Sequence, residues 1–181
     1  GVFIMKFVTL VEDTTKCELG AEHGLSIYAE TEKHKLLFDV GTTDLFIKNA
    51  KALGIDLSQV DTVVISHGHN DHGGGLDAFL AINDHAVIYL QEKAFNDHYT
   101  AKKTGPEYIG LNQNLKHHPQ VKLLDGSYVI DDELQIYSHV AGEIYETNKN
   151  LLKEDKTRDD FVHEQHLLIQ GSKNVLLMGC G

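Results

Sequence analysis

The sequence has no tryptophan, only two prolines and only two cysteines in 181 residues. Cys17 and Cys180 form no CxxC pair and no repeated spacing. That excludes a disulfide-dense secreted scaffold and a cysteine zinc ribbon, and it makes a reducing cytoplasm the expected location. Basic residues are scarce as well, with 16 Lys and Arg against 27 Asp and Glu for a formal charge of −11. Such a balance repels DNA, RNA and anionic lipid, and no Lys/Arg stripe offsets it locally. No nucleic-acid or membrane partner is therefore expected, whereas a small-molecule substrate is. Long apolar runs are missing too, since none approaches the roughly twenty residues that cross a bilayer. The opening VFIM meets Lys6 at once, which reads as a strand rather than a leader peptide. At 41% hydrophobic and 24% charged, the chain has the composition of one globular domain spanning 1–181. Its oligomeric state is not written in any of these features.

Hydrophobic patterning organises that domain. Residues 2–10, 25–29 and 35–40 read as three short strands separated by polar, Gly-containing turns. Thr42-Thr43-Asp44 supplies capping residues ahead of LFIKNAKAL, and Gly54 follows its last apolar position, which predicts a helix. DTVVIS at 61–66 fits a strand buried on both faces, LDAFLAI a second short helix, and AVIYL at 86–90 a further strand. Residues 91–120 carry no clear period. VKLL, SYVI, LQIYSHV, HLLIQ and NVLLM then read as strands. Strands interleaved with helices and followed by more strands predict a layered α/β (α+β) domain.

One segment carries chemistry. Residues 66–75 read SHGHNDHGGG, placing three His and one Asp in the six positions from His67 to His72, after a buried strand and before a helix. In a chain with 12 His, a chance match to H-x-H-x-D-H is on the order of a few in a thousand. Side chains two apart in extended backbone point the same way, so His67 and His69 can aim at one point. Asp71 and His72 follow around a turn that Asn70 and the glycines allow, and face a second point nearby. Four ligands in two pairs suit two divalent ions, zinc first, with iron or manganese as alternatives. Two ions about 3.5–4 Å apart can share a bridging hydroxide of lowered pKa and polarise a carbonyl or phosphoryl oxygen. His67 and His69 are then expected to hold one ion, and Asp71 and His72 the other. Asp71 is also the expected catalytic residue, orienting the attacking hydroxide.

SHGHNDHGGG resembles the signature of the metallo-β-lactamase superfamily, and residues 38–76 resemble that superfamily's strand, DxG turn, helix, strand and metal loop in order. The resemblance implies a four-layer αββα sandwich with metals at one edge of two sheets. It places Asp39 and Gly41 at the DxG turn, which braces the metal loop without ligating metal. AEHGLSIY, AGEIYET, DDFVHEQHLLI and NVLLMGC are further similar to the branch related to dihydropterin-aminobenzene-phosphate synthase. In that branch a third metal-binding His follows the Gly-Cys that stands here as Gly179-Cys180, and a closing His comes later. The resemblance thus implies a domain incomplete at its C-terminus, with weaker metal binding by these residues alone.

Other polar residues are read beside that motif. Glu22, His23 and Glu143 are candidate pocket residues. His163 and Glu164 read as an alternating edge strand with polar side chains outward, with support of the metal loop as the alternative. Cys180 reads as a small core residue, His34 and His98 as isolated, and residues 131–133 as a hairpin turn. The function these readings favour is a metal-dependent hydrolase of small esters, phosphoesters, lactones or thioesters. A mononuclear iron oxygenase acting on persulfides, on the same fold, and a noncatalytic metal-binding module are the competing readings.

Overall fold

The computed structural model describes residues 2–15, 18–139 and 148–180. In chain order these form β1 (Lys6–Val11), β2 (Ser26–Glu30), β3 (Lys35–Phe38), α1 (Leu45–Ala52), β4 (Thr62–Val64), α2 (Asn70–Gly73), α3 (Leu76–Leu80) and β5 (Val87–Gln91). There follow β6 (Tyr99–Lys102), β7 (Gly105–Tyr108), β8 (Val121–Leu124), β9 (Tyr128–Val129), β10 (Leu134–Ser138), β11 (Leu151–Leu152), β12 (Gln165–Ile169) and β13 (Val175–Leu177). No helix among the described residues is long and apolar enough to cross a membrane.

Six strands build a mixed sheet in the order β1-β2-β3-β4-β5-β8, antiparallel from β1 to β3 and parallel from β3 to β8. A second, antiparallel sheet runs β13-β12-β10-β9, and β11-β6-β7 make a small ribbon. Strand alternation divides the apolar residues between two cores. Leu37, Val63, Ile65, Ile88 and Leu90 face α1 and α3, packing on Phe46, Ala50, Leu76 and Phe79. Their neighbours Leu36, Phe38, Val64 and Tyr89 face the second sheet and meet Leu134, Ile136, Leu167 and Ile169. Both faces of β3, β4 and β5 are therefore buried, as short apolar runs require. Helix, sheet and sheet are three layers of the expected αββα sandwich. The outer face of the second sheet, bearing Tyr137 and Leu176, is exposed.

Several expectations need correction. Residues 2–5 do not extend β1. The expected capping run holds, though through Thr43, whose Oγ1 accepts from Leu45 N, while Asp44 sits at the N-cap of α1 without a side-chain cap bond. The unassigned stretch 91–120 holds the β6–β7 hairpin flanked by two short 3-10 turns. Nor is β12 an edge, since it pairs with both β10 and β13. His34 is not isolated either: Nδ1 meets Asp61 Oδ1 and Nε2 meets Asp131 Oδ2, each at 2.6 Å. This imidazole clamps the two sheets at the end opposite the loop that follows β4.

Candidate metal centre

The parallel strands β3 and β4 end side by side, and the chain turns at both ends. After β3, Asp39 takes a left-handed φ of 61°, which a short polar side chain tolerates. Its buried carboxylate then faces the start of the next loop. Oδ1 accepts from Ser66 N at 2.6 Å, and Oδ2 accepts from Ser66 Oγ at 2.7 Å and His72 Nδ1 at 2.6 Å. Backbone bonds tie the same pieces together, with Val40 N donating to His72 O and Gly41 N to Leu25 O. Asp39 and Gly41 thus sit in a turn laced to the His-rich loop.

That loop is not extended throughout as expected: it bends at His67 and Gly68, is extended at His69 and enters α2 at Asn70. Gly68 has a steric reason to be glycine, because a Cβ there would lie 2.1 Å from Ala94 O. The rings of His67 and His69 stand 4.7 Å apart, and those of His67 and His72 4.2 Å apart. Donor and acceptor accounting assigns each ring its free nitrogen. Ser66 Oγ gives its proton to Asp39 and so accepts from His67 Nδ1 at 2.7 Å. His67 Nε2 is left as a lone pair that is buried and has no partner. His72 donates through Nδ1 to Asp39, which leaves Nε2 as the atom that faces Asp71 and Cys180. His69 donates through Nε2 to Asp159 Oδ2 at 3.2 Å, which frees Nδ1.

Ligand atoms of His67, His69 and Asp71 lie within 4.8 Å of one another, and so do those of His67, His72 and Cys180. A buried imidazole nitrogen with nothing to bond is costly unless something electron-poor meets it. Burial, helped by the His72 and His69 rings, holds the pKa of His67 well below the usual histidine range. Burial also lowers that of His69, against the pull of Asp159. On His72 burial opposes the charge, but Asp39 outweighs it and the pKa is raised. Burial raises the pKa of Asp71, but the His72 imidazole beside it outweighs that and holds the carboxyl below the ordinary carboxylate range. Neutral imidazoles at His67 and His69, an ionised carboxylate at Asp71 and the unpartnered Nε2 of His67 in one cluster fit a divalent cation.

Of the candidate pocket residues, His23 is exposed and reaches Asp71 Oδ2 at 3.2 Å through Nε2. Glu22 accepts from Thr42 N, Thr43 N and Thr43 Oγ, and so holds the turn before α1. Glu143 lies outside the described residues.

Two other histidines depart from their sequence readings. His163 is not outward on an edge strand; it is 2% exposed in the turn before β12. Its Nδ1 accepts from Gly68 N at 2.8 Å, and its Nε2 donates to Asp159. The ring of His98 packs against it at a tilt of 38° with centroids 4.0 Å apart, and burial beside His163 lowers the pKa of His98 to about 3. Asp159 accepts from both His163 and His69, which keeps it strongly acidic although buried. The four-residue step from Asp159 to His163 was the one available signal for this support. Cys180 also proves to be more than core filling: its Sγ lies 3.1 Å from His72 Nε2.

Comparison with known proteins places these observations among relatives. A family profile described as the metallo-beta-lactamase superfamily matches residues 19–163. An uncharacterized protein of Methanocaldococcus jannaschii, MJ0448, is 29% identical over 177 residues, covering 94% of this chain and 67% of the relative. The 7,8-dihydropterin-6-methyl-4-(beta-D-ribofuranosyl)-aminobenzene-5'-phosphate synthase of the same organism is 30% identical over 159 residues, covering 80% of this chain and 52% of that protein. Among solved structures, Tm1679, a metal-dependent hydrolase of the beta-lactamase superfamily, superposes with a TM-score of 0.79 at 26% identity, over 96% of this chain and 64% of that one. The chain therefore spans about half to two thirds of the length of these relatives.

Proposed function

The chain belongs to the metallo-β-lactamase superfamily, and from that premise we propose that it is a metal-dependent hydrolase of a small ester, phosphoester, lactone or thioester. The observation that carries this reading is the buried, unpartnered Nε2 of His67 beside His69, Asp71 and His72. His67 and His69 would hold one divalent ion, and Asp71 and His72 a second, with zinc suiting imidazole and carboxylate donors. Bound ions would supply an activated water and a Lewis acid for the substrate oxygen.

The chain's own groups do the rest. Asp71 stays ionised, so one carboxylate oxygen can accept the proton of the attacking water while the other faces the cation. Asp39 and Asp159 fix the ring orientation of His72 and His69, which keeps the free nitrogens aimed inward. Exposed His23, in contact with Asp71, stands at the rim where substrate would enter.

The test is hydrolysis of chromogenic phosphodiester, lactone and thioester substrates by zinc-loaded protein. Turnover of at least one class is expected, abolished by chelation and restored by zinc. Asp71→Asn is expected to lower kcat at least about 100-fold, within the range for a residue in general acid–base work. Full activity after chelation, or in Asp71→Asn, would contradict the proposal.

A further inference from the structure

We propose that Phe161 is a positioning residue, a wedge that fixes the ring planes of His67 and His69, an inference that rests on reading the loop as a metal centre. Phe161 lies in the connection between β11 and β12 with a left-handed φ of 55°. For a bulky aromatic residue that backbone is an outlier, which persists only where the surroundings enforce it and which clusters at functional sites. Both sides of the residue are held. Phe161 N donates to Asp159 Oδ1 at 2.8 Å, and Phe161 O accepts from Glu164 N at 3.0 Å. The other oxygen of Asp159 takes His69 Nε2 at 3.2 Å and His163 Nε2 at 3.0 Å. One carboxylate therefore orients two histidines and bends the chain that delivers the aromatic ring to them.

The strained residue puts its ring against the ligand candidates. Its centroid lies 5.6 Å from that of His69 at an interplanar angle of 80°, 5.6 Å from His163 at 17° and 6.2 Å from His67 at 52°. Edge-to-face and offset rings at such separations are in favourable contact, and with the residue only 8% exposed the ring is spent on these neighbours rather than on solvent. This contact answers a need that the hydrogen bonds leave open. Asp159 pins one nitrogen of His69, and Ser66 pins one nitrogen of His67. A ring pinned at one atom can still rock about it and swing its other nitrogen off target. A flat, rigid side chain packed on both rings removes that freedom, and its apolar body keeps water off that side of the cluster. Simple core filling does not require this backbone. Glycine or asparagine would adopt it with less strain, so the position carries an aromatic ring at a conformational cost.

Two metal readouts on the full chain test this: zinc affinity by competition with a chromogenic chelator, and the visible d–d bands at saturating cobalt(II). Phe161→Leu keeps an apolar side chain without the flat ring. It is expected to weaken zinc binding about 10-fold, at the low end of the range for groups that orient ligating imidazoles. Its cobalt bands are expected to shift, because the ligand field follows ring orientation, whereas lost fold stability alone leaves the bands of the saturated protein in place. Phe161→Met, flexible and apolar, carries the same expectations and decides the matter if Phe161→Leu fails to fold. A folded variant with wild-type zinc affinity, or one with weakened affinity and wild-type cobalt bands, would overturn the positioning role and leave the metal-centre reading standing. Wild-type protein that binds neither metal would overturn both.

Discussion

Asp39 does more for the site than its place outside the motif suggests. One carboxylate takes hydrogen bonds from Ser66 N, Ser66 Oγ and His72 Nδ1. Through Ser66 it also sets which nitrogen of His67 is free. Asp159 plays the same part for His69. Carboxylates that orient a ligating imidazole typically govern metal affinity by about 10–100-fold. Asp39→Ala and Asp159→Ala are each expected to weaken zinc binding by about that factor, measured by isothermal titration calorimetry. The ligand candidates were legible in the sequence because H-x-H-x-D-H is local. Asp159 and His163 were not: they reach His69 and Gly68 across 90 and 95 residues, and only the pairing of the two sheets creates that contact. Cys180 was hidden for the same reason, being 108 residues from His72.

At the level of elements, the two sheets are joined beneath the site by a polar stitch. Gln165, on the buried face of β12, donates from Nε2 to Ile65 O at 2.9 Å and Tyr89 O at 3.0 Å, and its backbone N donates to Ser66 O at 2.7 Å. Its Oε1 accepts from Gln91 Nε2 at 2.8 Å. Gln165→Ala would take the side-chain partner from buried Ile65 O and from Gln91 Nε2, while Tyr89 O keeps Ile65 N and Ser66 O keeps the backbone N of residue 165. A loss of about 2–4 kcal/mol in unfolding free energy is expected, read from urea denaturation. The strands and helices themselves were largely readable, because β3, β4 and β5 are apolar runs of the length a doubly covered strand needs. The ribbon of β6 and β7 was not. Its burial pattern is mostly exposed, so no hydrophobic period marks it, and it is set by pairing Tyr99 with Tyr108 through Lys102 with Gly105.

Across the whole molecule, the candidate metal centre and the His34 clamp occupy opposite ends of the parallel strands. His34, hydrogen-bonded to Asp61 and Asp131, has its pKa raised from 6.5 to about 9, with Asp61 the largest cause and burial opposing it. A raised folded-state pKa means the contribution to stability is fully present below pH 6.5 and is lost as pH rises through about 9. Allowing for solvent screening, it is on the order of 1–2 kcal/mol. Thermal unfolding of the metal-free protein is expected to fall over that window, and His34→Gln to flatten the dependence. An unchanged pH profile in His34→Gln would contradict the clamp. The acidic balance that argued against nucleic acid counts 27 carboxylates alike, yet the two that orient the histidine rings, Asp39 and Asp159, are buried and already bonded. Charge counting alone could not separate the two populations.

The central claim is that the loop from His67 to His72 is a metal centre. Zinc titration of chelated, chelator-free protein followed by elemental analysis tests it most directly. Saturable binding retained through gel filtration is expected, together with its loss in the His67→Ala, His69→Ala double variant with the fold intact by circular dichroism. Wild-type protein that retains no zinc, iron or manganese above background, or a double variant that binds zinc as the wild type does, would contradict it.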